Sequence, residues 1–306
     1  MSIHSDISWT DATLTVVRGC TKVSPGCQNC FAMRDAWRLA HNPNPEVADG
    51  YAGLTHIVNG RPAWTGKVVL DEKALLLPLH WRKPRRIFVN SMSDLFHEGL
   101  TDEQIARVYA VMALCPQHTF QILTKRPKRM RDLTNGKLSR IVTQIVCDQF
   151  PGDLVDAVMD AEGRKEPVPW PLPRVWHGVS VEDQATANER IPHLLATPAA
   201  VRFVSYEPAL GPLDVKPWVM HSASCEASEL PFCTCHGGPL LDWVIAGGES
   251  GPGARPDHPD WFRRVRDDCT PAGVPFFMKQ LNGPDGKIIR DMADFPEDLR
   301  IQEFLS

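Results

Sequence analysis

Apolar positions along this chain fall into short, nearly unbroken runs, separated by stretches in which they recur at helical spacing. Arg86-Ile-Phe-Val-Asn90, Phe120-Gln-Ile-Leu123, Val175-Trp-His-Gly-Val179, Val201-Arg-Phe-Val204, Trp243-Val-Ile-Ala246 and Val274-Pro-Phe-Phe-Met278 read as strands, with Leu14 to Val17 as a first one. Runs without alternation suit strands covered on both faces, as in a parallel sheet. Between them, Thr101-Asp-Glu-Gln104 has the form of a capping box, in which the Thr hydroxyl and the Gln side chain exchange hydrogen bonds with backbone amides. Ile105, Val108, Met112 and Ala113 then repeat at helical spacing until Cys115-Pro116. A second helix is expected near Asp183, broken at Pro192. A third is expected from Pro259, with Trp261, Phe262, Val265 and Cys269 on one side, ending before Gly273. Strand alternating with helix in this way implies βαβ units, and hence an α/β fold closing into a complete or partly open (β/α) TIM-like barrel.

The length of 306 residues suits one such barrel with insertions. The stretch 151–174 holds Pro167, Pro169, Pro171 and Pro173, too many prolines for a buried strand, and 221–239 is rich in small polar residues and cysteine. Both read as excursions from a single domain spanning 1–306. The net charge of −4 and 43% hydrophobic content disfavour wholesale disorder and a polybasic coat. No apolar run reaches the roughly 18 residues of a membrane span. The start lacks the basic-then-apolar pattern of a secretory signal, so the expected location is the cytosol.

Cysteine placement is more informative than cysteine number. Of nine cysteines, Cys20, Cys27 and Cys30 crowd together directly after the first expected strand, where barrel active sites are built. Pro25-Gly26 bends the chain between them. Thiolates are soft ligands that favour iron–sulfur clusters or zinc. Three of them leave one position of a four-site centre open, either to a distant ligand in a zinc site or to a substrate in a catalytic cluster. Three unligated thiols are the bland alternative. A later group, Cys225, Cys233 and Cys235 with His221 or His236, could staple the second insertion with tetrahedral zinc, the alternative being an unliganded loop.

The strand ends carry the remaining candidate chemistry. Asp94, Glu182 and Glu207 each follow an expected strand and could act as acid or base, or bind a metal or ribose. Gly247-Gly248-Glu249-Ser250 would let a ligand approach the backbone closely. The basic run Lys125-Arg126-Pro-Lys128-Arg129, with Arg82-Lys83-Pro-Arg85-Arg86, could meet a phosphate backbone. For any single one of these, a strand-end salt bridge or a solvated face is the ordinary explanation.

Several blocks carry a family resemblance: Ile7-Ser-Trp-Thr-Asp11, the Cys20–Cys30 group, Arg82 to His97, Gln121-Ile-Leu-Thr-Lys-Arg-Pro127, Gly178-Val-Ser-Val-Glu-Asp-Gln184 and Trp243 to Gly251. Together they resemble the phage-associated three-cysteine-motif family, a domain of unknown function. More distantly the chain is similar to radical S-adenosylmethionine enzymes, including the spore photoproduct lyase branch. That resemblance implies a [4Fe–4S] cluster on Cys20, Cys27 and Cys30, with S-adenosylmethionine at the open iron and against Gly247, Gly248 and Glu249. The first two cysteines here are separated by six residues, wider than usual in that group. Asn29 stands where an aromatic residue commonly precedes the third cysteine, and Gly247-Gly248-Glu249 comes late in the chain. The expected activity is radical chemistry on a nucleobase in DNA or RNA, fed by an external electron donor in a bacterial host cytosol. The alternatives are a non-catalytic nucleic-acid-binding accessory protein with a structural zinc or iron–sulfur site, and a barrel hydrolase using Glu182 and Glu207.

Overall fold

Each expected apolar run but the first becomes a strand, with bounds moved by the polar groups around it. The computed structural model describes residues 5, 7–150, 168–220, 240–283 and 287–305. Its strands are β1 Ala12–Leu14, β2 Val17–Arg18, β3 Thr55–Val58, β4 Arg61–Trp64, β5 Val69–Leu70, β6 Arg86–Val89, β7 Thr119–Thr124, β8 Val175–Val181, β9 Val201–Tyr206, β10 Trp243–Gly247, β11 Phe276–Asn282 and β12 Ile288–Ile289. One mostly parallel sheet of eight strands runs in the order β1-β6-β7-β8-β9-β10-β11-β12. The β1–β6, β6–β7, β9–β10 and β10–β11 pairs are parallel, and β12 is antiparallel to β11. Two small antiparallel pairs, β2–β5 and β3–β4, lie outside it.

The helices are α1 Phe31–Ala40, α2 Pro45–Asp49, α3 Glu72–Leu75, α4 Asp102–Ala113, α5 Pro127–Asn135, α6 Leu138–Gln149, α7 Gln184–Leu195, α8 Lys216–Val219 and α9 Pro259–Cys269. By internal contacts the chain divides into two compact units. The first comprises Met1–Val23, Phe31–His177 and Thr197–Ala200. The second comprises Ser24–Cys30, Gly178–Ala196 and Val201–Ser306.

In the first unit, α4 begins with the expected capping box, Gln104 N donating to Thr101 Oγ1 at 3.1 Å and Thr101 N to Gln104 Oε1 at 2.9 Å. It buries Ile105, Val108, Tyr109 and Met112 and packs on α6. Each such side chain contributes about 1.5–3 kcal/mol on leaving water. The expected strand from Leu14 to Val17 is split instead. Asn90 holds a left-handed conformation (φ 67°), and its Oδ1 accepts from Val16 N at 3.0 Å and Val17 N at 2.9 Å. Two backbone amides are thereby taken from the sheet, and the chain leaves β1 to pair with β5.

In the second unit, α7 continues through Pro192 to Leu195, where a break was expected. A proline frees the carbonyl four residues back, and Asn188, which carries that carbonyl, is exposed. The last expected run begins pairing only at Phe276, because Pro275 has no amide hydrogen and instead accepts from Val244 N at 3.1 Å. Helix α9 buries Phe262, Val265 and Cys269 as its spacing implied, with Trp261 half-buried beside them. Gly178 allows β8 to pass the Phe203 ring, since a methyl group there would lie 2.5 Å from it.

Candidate functional site

Charged and polar side chains follow the parallel strands of both units, and buried ion pairs account for most of them. In the first unit, Asp94 lies beyond β6 and is 5% exposed. It accepts hydrogen bonds from Phe96 N (2.9 Å), Thr124 Oγ1 (2.7 Å), Lys125 N (3.0 Å) and Arg126 Nη1 (3.2 Å). Arg126, immediately after β7, is 6% exposed. Its guanidinium also reaches Glu98 at 2.9 Å and Thr21 Oγ1 at 2.6 Å, and it lies 3.8 Å from Cys20 Sγ. Burial opposes its charge, but Asp94, the Cys20 sulfur and Glu98 outweigh that, so the arginine holds its proton even more firmly than usual.

His97 completes this network. Its Nδ1 accepts from Gly99 N at 3.0 Å, which leaves Nε2 to donate to Thr21 Oγ1, also at 3.0 Å. Burial first, and Arg126 second, hold its pKa below the ordinary value and keep the ring neutral.

In the second unit, Glu182 follows β8 and is 0% exposed. Its Oε1 accepts from Arg190 Nη1 at 3.1 Å and from Ser24 Oγ at 2.8 Å. A methyl group on Gly26 would lie 2.5 Å from the same oxygen, so the glycine is what lets the cysteine loop rest on this carboxylate. Glu249 follows β10 and is 4% exposed. Arg255 grips it through Nε and Nη2, and Asn29 Nδ2 donates to it at 3.0 Å. Burial alone would raise the Glu249 pKa; Arg255, Asn29 and the Arg255 amide outweigh it and hold the carboxyl below its usual value. Glu207, after β9, pairs with Lys279 at 2.7 Å and accepts from Ser205 Oγ at 3.1 Å.

The backbone of Gly247 and Gly248 is already engaged within the fold. Gly247 O accepts from Ala209 N at 3.0 Å. Gly248 N donates to Gln280 O at 3.0 Å, and Gln280 Nε2 donates back to Gly248 O at 2.6 Å. What approaches Gly248 closely is Asp257, whose carboxylate would collide with any Cβ there. Asp257 Oδ2 accepts from Asn282 N at 2.9 Å, Oδ1 is buried without a hydrogen-bond partner, and burial pushes the carboxyl up to about 6. Ser250 is half-buried beside Glu249.

Of the residues expected to meet nucleic acid, Arg126 is internal. Arg129 is turned onto the carbonyls of His97 and Leu100 and onto Asp102. Lys128 is exposed and Lys125 half-buried. In the other basic run, Arg86 pairs with Asp11 at 3.0 Å and Arg85 lies over the Trp81 ring. His221, Cys225, Cys233, Cys235 and His236 lie outside the described residues, so the expected zinc staple does too.

Spacing did not single out Arg190 and Arg255, which neutralise the buried Glu182 and Glu249. Arg190 had a readable signal: it falls on the same face of α7 as the buried Ala187, Ile191 and Leu194, an unusual place for a charge. Arg255, in a loop, had none.

Cys20 belongs to the first unit, Cys27 and Cys30 to the second. All three are half-buried. By residue type alone the three are the soft donors that a thiolate-ligated group uses. Among the described residues, no group of three or more Cys, His, Asp or Glu side chains is gathered in a way that would hold a metal ion. No helix of the described residues is long and apolar enough to cross a membrane.

Fold and site together define a mixed α/β protein with a mostly parallel sheet and buried arginine–carboxylate pairs at the ends of its strands. The family model described as "Protein of unknown function (DUF5131)" matches residues 4–292, and the chain belongs to that family. No curated protein and no solved structure matches it.

Proposed function

We propose that this protein is an iron–sulfur enzyme of radical S-adenosylmethionine type, built on a complete or partly open (β/α) barrel. Cys20, Cys27 and Cys30 would hold a [4Fe–4S] cluster, and the substrate class is a nucleobase in DNA or RNA. The observation that supports the reading is the set of three half-buried cysteines on the segment after the first parallel strand, with buried ion pairs in contact with that segment. Bound there, the cluster and S-adenosylmethionine supply one-electron chemistry that amino-acid side chains cannot.

The chain's own residues bind, orient and exclude water. Arg126 places a positive charge 3.8 Å from the Cys20 sulfur. The Glu207–Lys279 pair is partly accessible and can exchange its partners for the polar groups of a bound molecule. Glu182 is less suited to acid–base work, because it is fully buried and tied to Arg190 and Ser24. The hydrolase alternative therefore draws no support from it.

The test is an iron and sulfide count with an absorption spectrum on protein prepared without oxygen, followed by assay of deoxyadenosine release from S-adenosylmethionine under a strong reductant. Iron, sulfide and release are expected together. Zinc alone, or a full cluster without release, would overturn the proposal.

A further inference from the structure

We infer that Glu249, Arg255 and Asn29 form a clamp that positions the Cys27–Cys30 segment, so that Glu249 serves as an anchor of the cysteine loop and not as a ligand for a substrate or cofactor. Its consequence for catalysis rests on the iron–sulfur reading; the clamp itself does not.

Residues 24–29 have little regular structure of their own, a single short turn at Pro25–Cys27. Two amide bonds define that turn, Cys27 N to Ser24 O at 3.0 Å and Gln28 N to Pro25 O at 3.1 Å. Arg255 donates through Nη2 to Pro25 O at 3.0 Å while the same guanidinium grips the Glu249 carboxylate. Asn29 Nδ2 donates to Glu249 Oε2 and to Gly253 O, both at 3.0 Å. The loop is thus held at Pro25 and at Asn29, on either side of Cys27 and directly before Cys30.

Every atom of the Glu249 carboxylate that the structure describes in a bond is used in this way. The acceptor of Arg255 and Asn29 is one buried oxygen pair, and a small ligand would have to displace a two-pronged arginine to reach it. The base of the clamp is rigid for a separate reason. Asn282 Nδ2 donates to Arg255 O at 2.7 Å, which fixes the backbone from which the guanidinium extends. A planar fork with several donors suits Arg255 to bridging a carboxylate and a carbonyl, and lysine offers no equivalent geometry.

The experiment is residue-resolved hydrogen exchange on the metal-free protein, comparing wild type with Arg255→Gln, Glu249→Gln and Arg255→Lys. The Cys27 and Gln28 amides report the loop, and Val244, in β10 of the same unit, reports the fold. Loss of two charge-assisted bonds should speed exchange at Cys27 and Gln28 by about tenfold or more in Arg255→Gln and Glu249→Gln, with Val244 unchanged. Arg255→Lys should fall between, because it keeps the charge and loses the fork. Exchange at Cys27 and Gln28 within about twofold of wild type in both glutamine variants would overturn the clamp. So would equal acceleration at Val244 in all three variants, which would report opening of the whole unit. On reconstituted protein, the same variants should lose iron to a chelator faster than wild type. A wild-type protein that takes up no iron removes the proposed function and leaves the exchange result standing.

Discussion

Replacing Arg190 by methionine separates a structural from a catalytic Glu182. The two side chains are 3% and 1% exposed and lie 3.1 Å apart, so neither can turn to water when its partner is removed. Breaking such a pair by deleting one charge costs about 3–5 kcal/mol, most of it the penalty of the stranded ion. At about 2 °C per kcal/mol for a chain of this size, the melting temperature of Arg190→Met should fall by roughly 6–10 °C. Combining Arg190→Met with Glu182→Leu should recover most of the loss, to within about 1 kcal/mol of wild type, because two well-packed apolar groups replace a desolvated pair. The recovery will be incomplete to the extent that Ser24 loses its acceptor. Thermal and urea unfolding followed by circular dichroism, arranged as a double-mutant cycle, would measure both numbers. A single-variant loss below about 1 kcal/mol would refute the reasoning, and would mean that the Glu182 carboxylate is solvated and free for proton transfer.

Asp257→Asn tests the raised carboxyl packed against Gly248. Its pKa of about 6 lies above the unfolded value, so its contribution to stability is complete below about pH 4 and lost as pH rises through about 6. The neutral variant should therefore gain on wild type between about pH 4.5 and pH 7, read as urea midpoints, and a difference independent of pH would count against the burial argument. Gly248→Ala forces a methyl group into the Asp257 carboxylate and to 3.1 Å from Asn282 Nδ2. A loss of about 1–3 kcal/mol is expected, reduced when Asp257 is also made serine; an additive double variant would show that the contact is not the cause. Burial pushes the Cys115 and Cys269 thiols up to about 12, whereas Cys20, Cys27, Cys30 and Cys147 are half-buried. Native alkylation of metal-free protein with mass mapping should leave the first two unmodified, and their labelling at the rate of Cys147 would contradict the fold around them.

Legibility in the sequence tracked how local each cause is. The Thr101 capping box and the α9 stripe were readable because capping and burial involve neighbours three or four residues apart. The split of the first strand was not, because Asn90 imposes it on Val16 and Val17 from far along the chain. At the candidate site, residue types and strand-end positions were readable, but roles were not. Glu249 and Glu182 stood out as candidate ligands or catalysts, and the structure gives each an arginine partner and a grip on the cysteine loop. Arg126 read as part of a surface charge run, yet it is buried on Asp94.

By itself, the sequence determined that apolar runs alternate with helices, that polar residues follow those runs, and that three thiols lie within a short loop. These are properties of spacing, and spacing is written along the chain. Only the tertiary structure decided which charges neutralise which. The free energy of a buried carboxylate depends on the atoms within a few ångströms of it, and those belong to residues distant in sequence, as Arg255 and Asn29 are. A carboxylate so enclosed holds a loop in place, whereas the same residue facing water would be free to react.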